Sequence, residues 1–243
     1  MSLNQSSLNE RARTAARLSA SLRAQAKALP IDDRGLEALR AVKAWQAKRL
    51  ASSHADLLGS ERYGDAARFF LNDLYGPQDL SGRDKDLERL LPMMIKLLPE
   101  KALLTIVKAI ELDALSEQLD RALADQLQSL QEFGVAGADF ENLYGQAYCL
   151  ASGPAQRAEQ TAAVLDIGQS LERLVRQPFL GTLLASMSGP ARVAGLSVMH
   201  DFLMRGFGAF KRMNGASVFL AEIYQRESSE DARIRIKFAA QKG

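Results

Sequence analysis

Apolar residues recur at three- and four-residue intervals along most of the chain, the spacing of amphipathic helices. Over residues 3–29 the stripe is Leu8, Ala12, Ala15, Leu18, Leu22 and Leu29. Pro30 ends that helix. Asp32 or Asp33 can cap the next, which runs to about Leu58 with Leu36, Leu39, Leu50 and Leu57 on its apolar side. Gly59-Ser60 closes it, and a short helix over about residues 62–75 stops at Gly76-Pro77. Ser81 with Asp84 forms an approximate capping pair for a helix that Pro92 kinks or breaks. Pro99 then opens a long helix to about Phe133, with Leu104, Val107, Leu115, Leu119, Ala122, Leu127 and Leu130 as its buried stripe. Further helices are predicted over residues 140–151, 155–176, 178–187, 191–213 and 216–226, separated by turns rich in Gly, Ser and Pro. From Arg233 to Phe238 apolar and charged residues alternate strictly, the period of a strand. No partner strand is evident, so the tail is read as continued helix, or as a segment that docks on a second subunit.

These patterns predict an all-α fold, a multi-helix bundle of about eight to ten helices with short connections. Residues 1–60 form an N-terminal helical pair that can act as an arm or dimer element, and residues 61–243 form the main bundle. A chain of 243 residues with 47% apolar and 25% charged residues has the composition of a globular protein with a substantial core.

Charge narrows the partners. With 31 basic and 29 acidic residues, the chain lacks the basic excess of a nucleic-acid surface. The N-terminal stretch is the local exception, since Arg11, Arg13, Arg17, Arg23 and Lys27 are opposed only by Glu10; such a run is most simply a solvated face. The single cysteine, Cys149, excludes an intrachain disulfide and a cysteine-based zinc site and fits a reducing compartment. The start lacks the pattern of a signal peptide, and the uncharged stretch 177–191 is shorter than the roughly 18 residues a span needs. A cytoplasmic location is expected.

Two features could carry chemistry. His200 sits in the seam Val193, Leu196, His200, Leu203, Phe207, Phe210, where an imidazole must find a hydrogen-bond partner or a ligand. His54, near the end of the second helix, has no metal-binding partner four residues away and reads as a partly exposed surface residue. The second feature is Asp73, which shares a helix face with Ala66, Phe69, Phe70 and Leu74. A carboxylate there must pair with a cation or a donor. It either pins the following loop or joins Tyr75, Asp79, Arg83 and Asp84 in a polar ligand site. The candidate ligand-binding residues are therefore Phe70, Asp73, Tyr75, Arg83 and His200. No metal set is identified and no cofactor can be assigned. Nucleophile-elbow, zinc-protease, paired-cysteine and dinucleotide motifs are not found.

The run Phe69-Phe70-Leu71-Asn72-Asp73-Leu74-Tyr75-Gly76-Pro77-Gln78-Asp79-Leu80, followed by Arg83-Asp84 and later by Phe210-Lys211-Arg212-Met213-Asn214-Gly215, resembles the signature of a family of uncharacterised bacterial all-helical proteins. The resemblance spans about residues 62–227. It implies a bacterial cytoplasmic protein and carries over no catalytic residue.

Three functions fit these observations. The first is a non-catalytic binding protein with an interhelical pocket for a small apolar or amphipathic ligand. The second is a structural or protein-interaction module acting as a homodimer. The third is an enzyme using His200 or the Asp73–Asp84 cluster as acid–base groups.

Overall fold

The computed structural model describes residues 10–21, 32–71, 95–96, 98–132, 140–195 and 197–239. Among them every regular element is helical. Residues 10–21 are helical, and ten further helices follow: α1 (Asp33–Ser53), α2 (Ala55–Gly59), α3 (Gly64–Phe69), α4 (Glu100–Glu132), α5 (Phe140–Ala151), α6 (Pro154–Val175), α7 (Pro178–Ser186), α8 (Ser188–Val193), α9 (Ser197–Met213) and α10 (Ser217–Ala239). Asp32 caps α1, its Oδ1 accepting from Gly35 N at 2.8 Å, which satisfies one of the free donors of the first turn. Pro99 stands directly before α4.

The chain divides into two compact units. The first comprises the described residues of Met1–Ala28, Gln78–Leu112 and Ile167–Ala216; the second, those of Leu29–Pro77, Asp113–Asp166 and Ser217–Gly243. In the first unit Leu18 is fully buried with Leu103, Val107 and Ile110 of α4, Leu174 of α6 and Leu180 and Leu184 of α7. Phe202, Leu203 and Phe207 of α9 pack against them. The helix predicted over 191–213 is broken here. Gly195 takes φ +71, left-handed backbone that glycine adopts at little cost, and Val193, expected in the seam of His200, is 91% exposed on α8.

The second unit is built on Leu39 and Val42 of α1, Leu123 and Leu127 of α4, Leu143, Tyr144, Ala147 and Tyr148 of α5, and Ile234 and Phe238 of α10. Trp45 stacks obliquely on Phe140 and Tyr144, with ring centroids 5.3 and 6.0 Å away. The alternating tail is helix. Ile234 and Phe238, four residues apart, enter the core, while Ile236 between them is exposed. One side of a helix thus accounts for two of the three alternating apolar residues. At the other end of the unit, the expected helix to Leu58 breaks at His54 (φ −119°, ψ 23°). Arg226 of α10 braces this turn, donating to Ser53 O at 3.0 Å and to both carboxylate oxygens of Asp56 at 2.6 and 2.8 Å.

Candidate functional site

A cavity of about 120 Å³ lies within the second unit. Side chains of six helices, α1, α2, α3, α5, α6 and α10, line it. Gln46, Arg49 and Leu50 of α1 fall on one face, followed by His54 and Leu57. Tyr144 and Tyr148 are one turn apart on α5; Arg157, Gln160, Thr161 and Val164 form one stripe of α6. On α10, Phe219, Ile223, Glu227 and Asp231 repeat every four residues, so that two acids continue an aromatic and aliphatic ridge. Phe70 belongs to the apolar side, its ring 5.9 Å from that of Phe219.

Polar groups on the wall are mostly engaged with one another. Arg49 donates Nη1 and Nη2 to the two oxygens of Glu227 at 3.1 and 2.7 Å, a bidentate pair. His54 Nε2 stands 2.9 Å from Glu227 Oε1. Burial opposes ionisation of Glu227, but the hydrogen bonds from His54 and Arg49 and the Arg49 charge outweigh it and bring its pKa down to about 2. An ionised carboxylate only accepts, so Nε2 of His54 carries the proton of that bond. Nδ1 is buried and has no partner among the described residues. Tyr148 donates its hydroxyl to Asp231 Oδ1 at 2.8 Å, and Arg235 donates Nε to the same carboxylate at 3.0 Å. Burial, reinforced by that bond, pushes the Tyr148 phenol far above its ordinary value despite the nearby Arg157 charge.

Arg157 differs from Arg49. It is 6% exposed, and its Nε and Nη1 donate to uncharged oxygens, Ser152 Oγ at 3.2 Å and Gln160 Oε1 at 3.0 Å. Gln160 in turn donates to Ser116 Oγ at 2.8 Å. The guanidinium carbon lies 4.6 Å from the centroid of the Tyr148 ring, and the Arg235 carbon lies 5.3 Å from it, both in cation–π range. Nη2 of Arg157 is buried and has no acceptor among the described residues. Behind the wall, Gln46 donates to Asp120 Oδ1 at 2.9 Å, and burial pushes the Asp120 carboxyl up against the pull of that bond and of Arg157.

Of the residues predicted from sequence, Phe70 lines the cavity. Asp73, Tyr75, Asp79, Arg83 and Asp84 lie outside the described residues. His200 belongs to the first unit and donates Nε2 to Leu184 O at 2.9 Å, the structural role open to a histidine in an apolar seam. His54 corrects its surface assignment: it is 6% exposed, because the break at its own backbone turns the ring inward. Glu227, Asp231 and Arg157 were not among the predicted site residues. The signal for the two acids was the Phe219–Ile223–Glu227–Asp231 stripe, concealed by ending the last helix at Arg226. Among the described residues no group of three or more His, Cys, Asp or Glu side chains is arranged to hold a metal ion, and no helix is long and apolar enough to cross a membrane.

The molecule is thus an all-α protein whose second unit carries a cavity with one apolar side and one buried polar side. The chain belongs to the family defined by the domain of unknown function DUF8198, whose profile matches residues 26–237. No curated protein and no solved structure matches it.

Proposed function

We propose that this protein is a small-molecule-binding module whose site is the cavity of the second unit. One observation carries the reading: two side chains more than nine-tenths buried, His54 and Arg157, line the same cavity, each with a nitrogen that no group among the described residues meets. Buried polar atoms are normally satisfied within the fold, and exceptions concentrate where a ligand or water completes them. Phe70, Phe219, Ile223 and Leu57 supply the apolar wall, so the ligand is amphipathic. The cavity volume of about 120 Å³ is on the scale of a cavity of about 150 Å³, which holds benzene. The single cysteine, half-buried Cys149, supports a cytoplasmic setting for this binding.

The test is native mass spectrometry of the purified protein, followed by a thermal-shift screen of small amphipathic compounds against wild type and Val164→Phe, which fills the cavity from α6. The expected result is one bound molecule per chain and a stabilisation that Val164→Phe abolishes while keeping a cooperative melt. A bound mass or a shift that survives equally in the filled variant would place binding elsewhere and end this reading.

A further inference from the structure

One stretch of the first unit is poor in charge and nearly one-signed in what charge it has. From Gln177 to His200 the one charged side chain is Arg192; from there to Met213 the acid Asp201 stands against Arg205, Lys211 and Arg212. Four bases and one acid give the stretch +3, against +2 for the whole chain. It folds as a hairpin in which α7, α8 and α9 touch one another. Leu184 O accepts from His200 Nε2 at 2.9 Å, and Gly181 lies against the Phe207 ring, so α7 and α9 run antiparallel. Leu180, Leu184 and Ala191 are buried, whereas Phe179, Val193 and Val198 are 75, 91 and 73% exposed. Single exposed apolar side chains are ordinary. These three stand at the start of α7, the end of α8 and the start of α9, where side chains project from turns, and exposed bases accompany them. Val198, Arg205 and Arg212 are seven residues apart and share one side of α9. Asp201 lies near that side, 3.7 Å from His200 Nδ1.

We propose that the α7–α9 hairpin docks the first unit on an anionic lipid bilayer, with Phe179, Val193 and Val198 below the headgroups and Arg192, Arg205 and Arg212 at the level of the phosphates. The charge selects this occupant. A second copy of the chain would set +3 against +3 across a two-fold interface, which repels. An anionic bilayer meets both needs, taking up apolar side chains and attracting bases at its surface. No helix among the described residues is long and apolar enough to cross a membrane, so the hairpin lies in the interface. The docking does not rest on the cavity, which belongs to the second unit.

The experiment is co-sedimentation of the full chain with vesicles of phosphatidylcholine alone and of phosphatidylcholine mixed with phosphatidylserine. Partitioning should be at least about tenfold stronger into the anionic vesicles, since several bases near the surface each contribute about a factor of five. It should weaken as salt rises from about 0.1 M to about 0.5 M. Arg192→Gln should cost about fivefold by the same rule. Serine at all three of Phe179, Val193 and Val198 should cost at least about tenfold, because interfacial binding scales with the apolar area inserted; as these positions are exposed, the thermal melt should stay as in the wild type. Val164→Phe should partition like the wild type, so failure of the pocket reading leaves this result untouched. Absence of binding to the anionic vesicles, equal binding to neutral ones, or binding that the triple serine variant retains would each overturn the proposal. A lipid-free dimer that the triple variant dissociates, with vesicles left unbound, would show instead that a second copy covers this face.

Discussion

Glu227 accepts three hydrogen bonds from two basic side chains while only 19% of its side chain is exposed. Its pKa of about 2, against an ordinary value of 4.5, is a statement about stability. A carboxyl whose folded pKa is depressed stabilises the fold fully above its unfolded value and loses that contribution as pH falls through the folded one. The window is therefore pH 4.5 down to about 2, and the contribution is about 3 kcal/mol at one pKa unit per 1.36 kcal/mol. Glu117, held down by Lys43 and Arg121 despite its burial, acts in the same direction, so the wild type alone does not isolate Glu227. Glu227→Gln does. At pH 7 it should cost about 3–5 kcal/mol, because Arg49 is left as an uncompensated partly buried charge, and the difference from wild type should shrink steadily below pH 4.5. Urea unfolding at pH 7, 4.5 and 3 measures this. A pH-independent difference would mean that the glutamate is not ionised in the fold.

At the scale of elements, α5 and α10 meet where Gly145 lies beneath the Phe238 ring, and three ring carbons occupy the space a Cβ would need. Gly145→Ala should therefore cost about 1–3 kcal/mol as overpacking. Phe238→Leu should recover part of that loss in the double variant, although alone it removes buried surface. Additive losses would show that the ring moves aside freely. The same pair of helices shows how much of the fold the sequence discloses. The bounds of α5 are legible, because Ser152-Gly153-Pro154 punctuates its end, and the cap at Asp32 is legible because aspartate serves that position chemically. The breaks at His54 and Gly195 are not, since neither carries a proline and both interrupt runs of correct period. The tail misleads differently. Ile234, Ile236 and Phe238 keep a two-residue period, yet the i,i+4 pair alone is core. The candidate site inherits these errors. Phe70 was visible as part of an aromatic face. Glu227 and Asp231 were hidden by an early helix end, and Arg157 looks like any surface arginine until α5 and α10 are placed over it.

Each of the two units is assembled from three separate stretches of chain, so neither is a contiguous fragment, and the consequence appears at the C-terminus. Residues from Ser217 onward belong wholly to the second unit and supply Phe219, Leu220, Ile234 and Phe238, all at most 5% exposed. Truncating one such side chain typically costs about 2–5 kcal/mol, against a total stability of about 5–15 kcal/mol for a domain. Losing four together exceeds what the second unit can absorb. Among the described residues the buried cluster of the first unit around Leu103 and Leu180 draws on residues 18–207. Deleting residues 217–243 should therefore remove amide-exchange protection from α1, α5 and the second half of α4. Protection around Leu103, Val107, Leu180 and Leu184 should survive, with the boundary in α4 near Leu112. Hydrogen-exchange mass spectrometry of the truncated chain distinguishes the outcomes. Simultaneous loss of protection in both units would mean that the chain folds as one cooperative body, in which case the cavity depends on the first unit as well as on α10. Retained protection in the first unit alone would show that the cavity-bearing unit can be lost without unfolding the rest, and that ligand stabilisation should be sought in the melting of α1, α5 and α10.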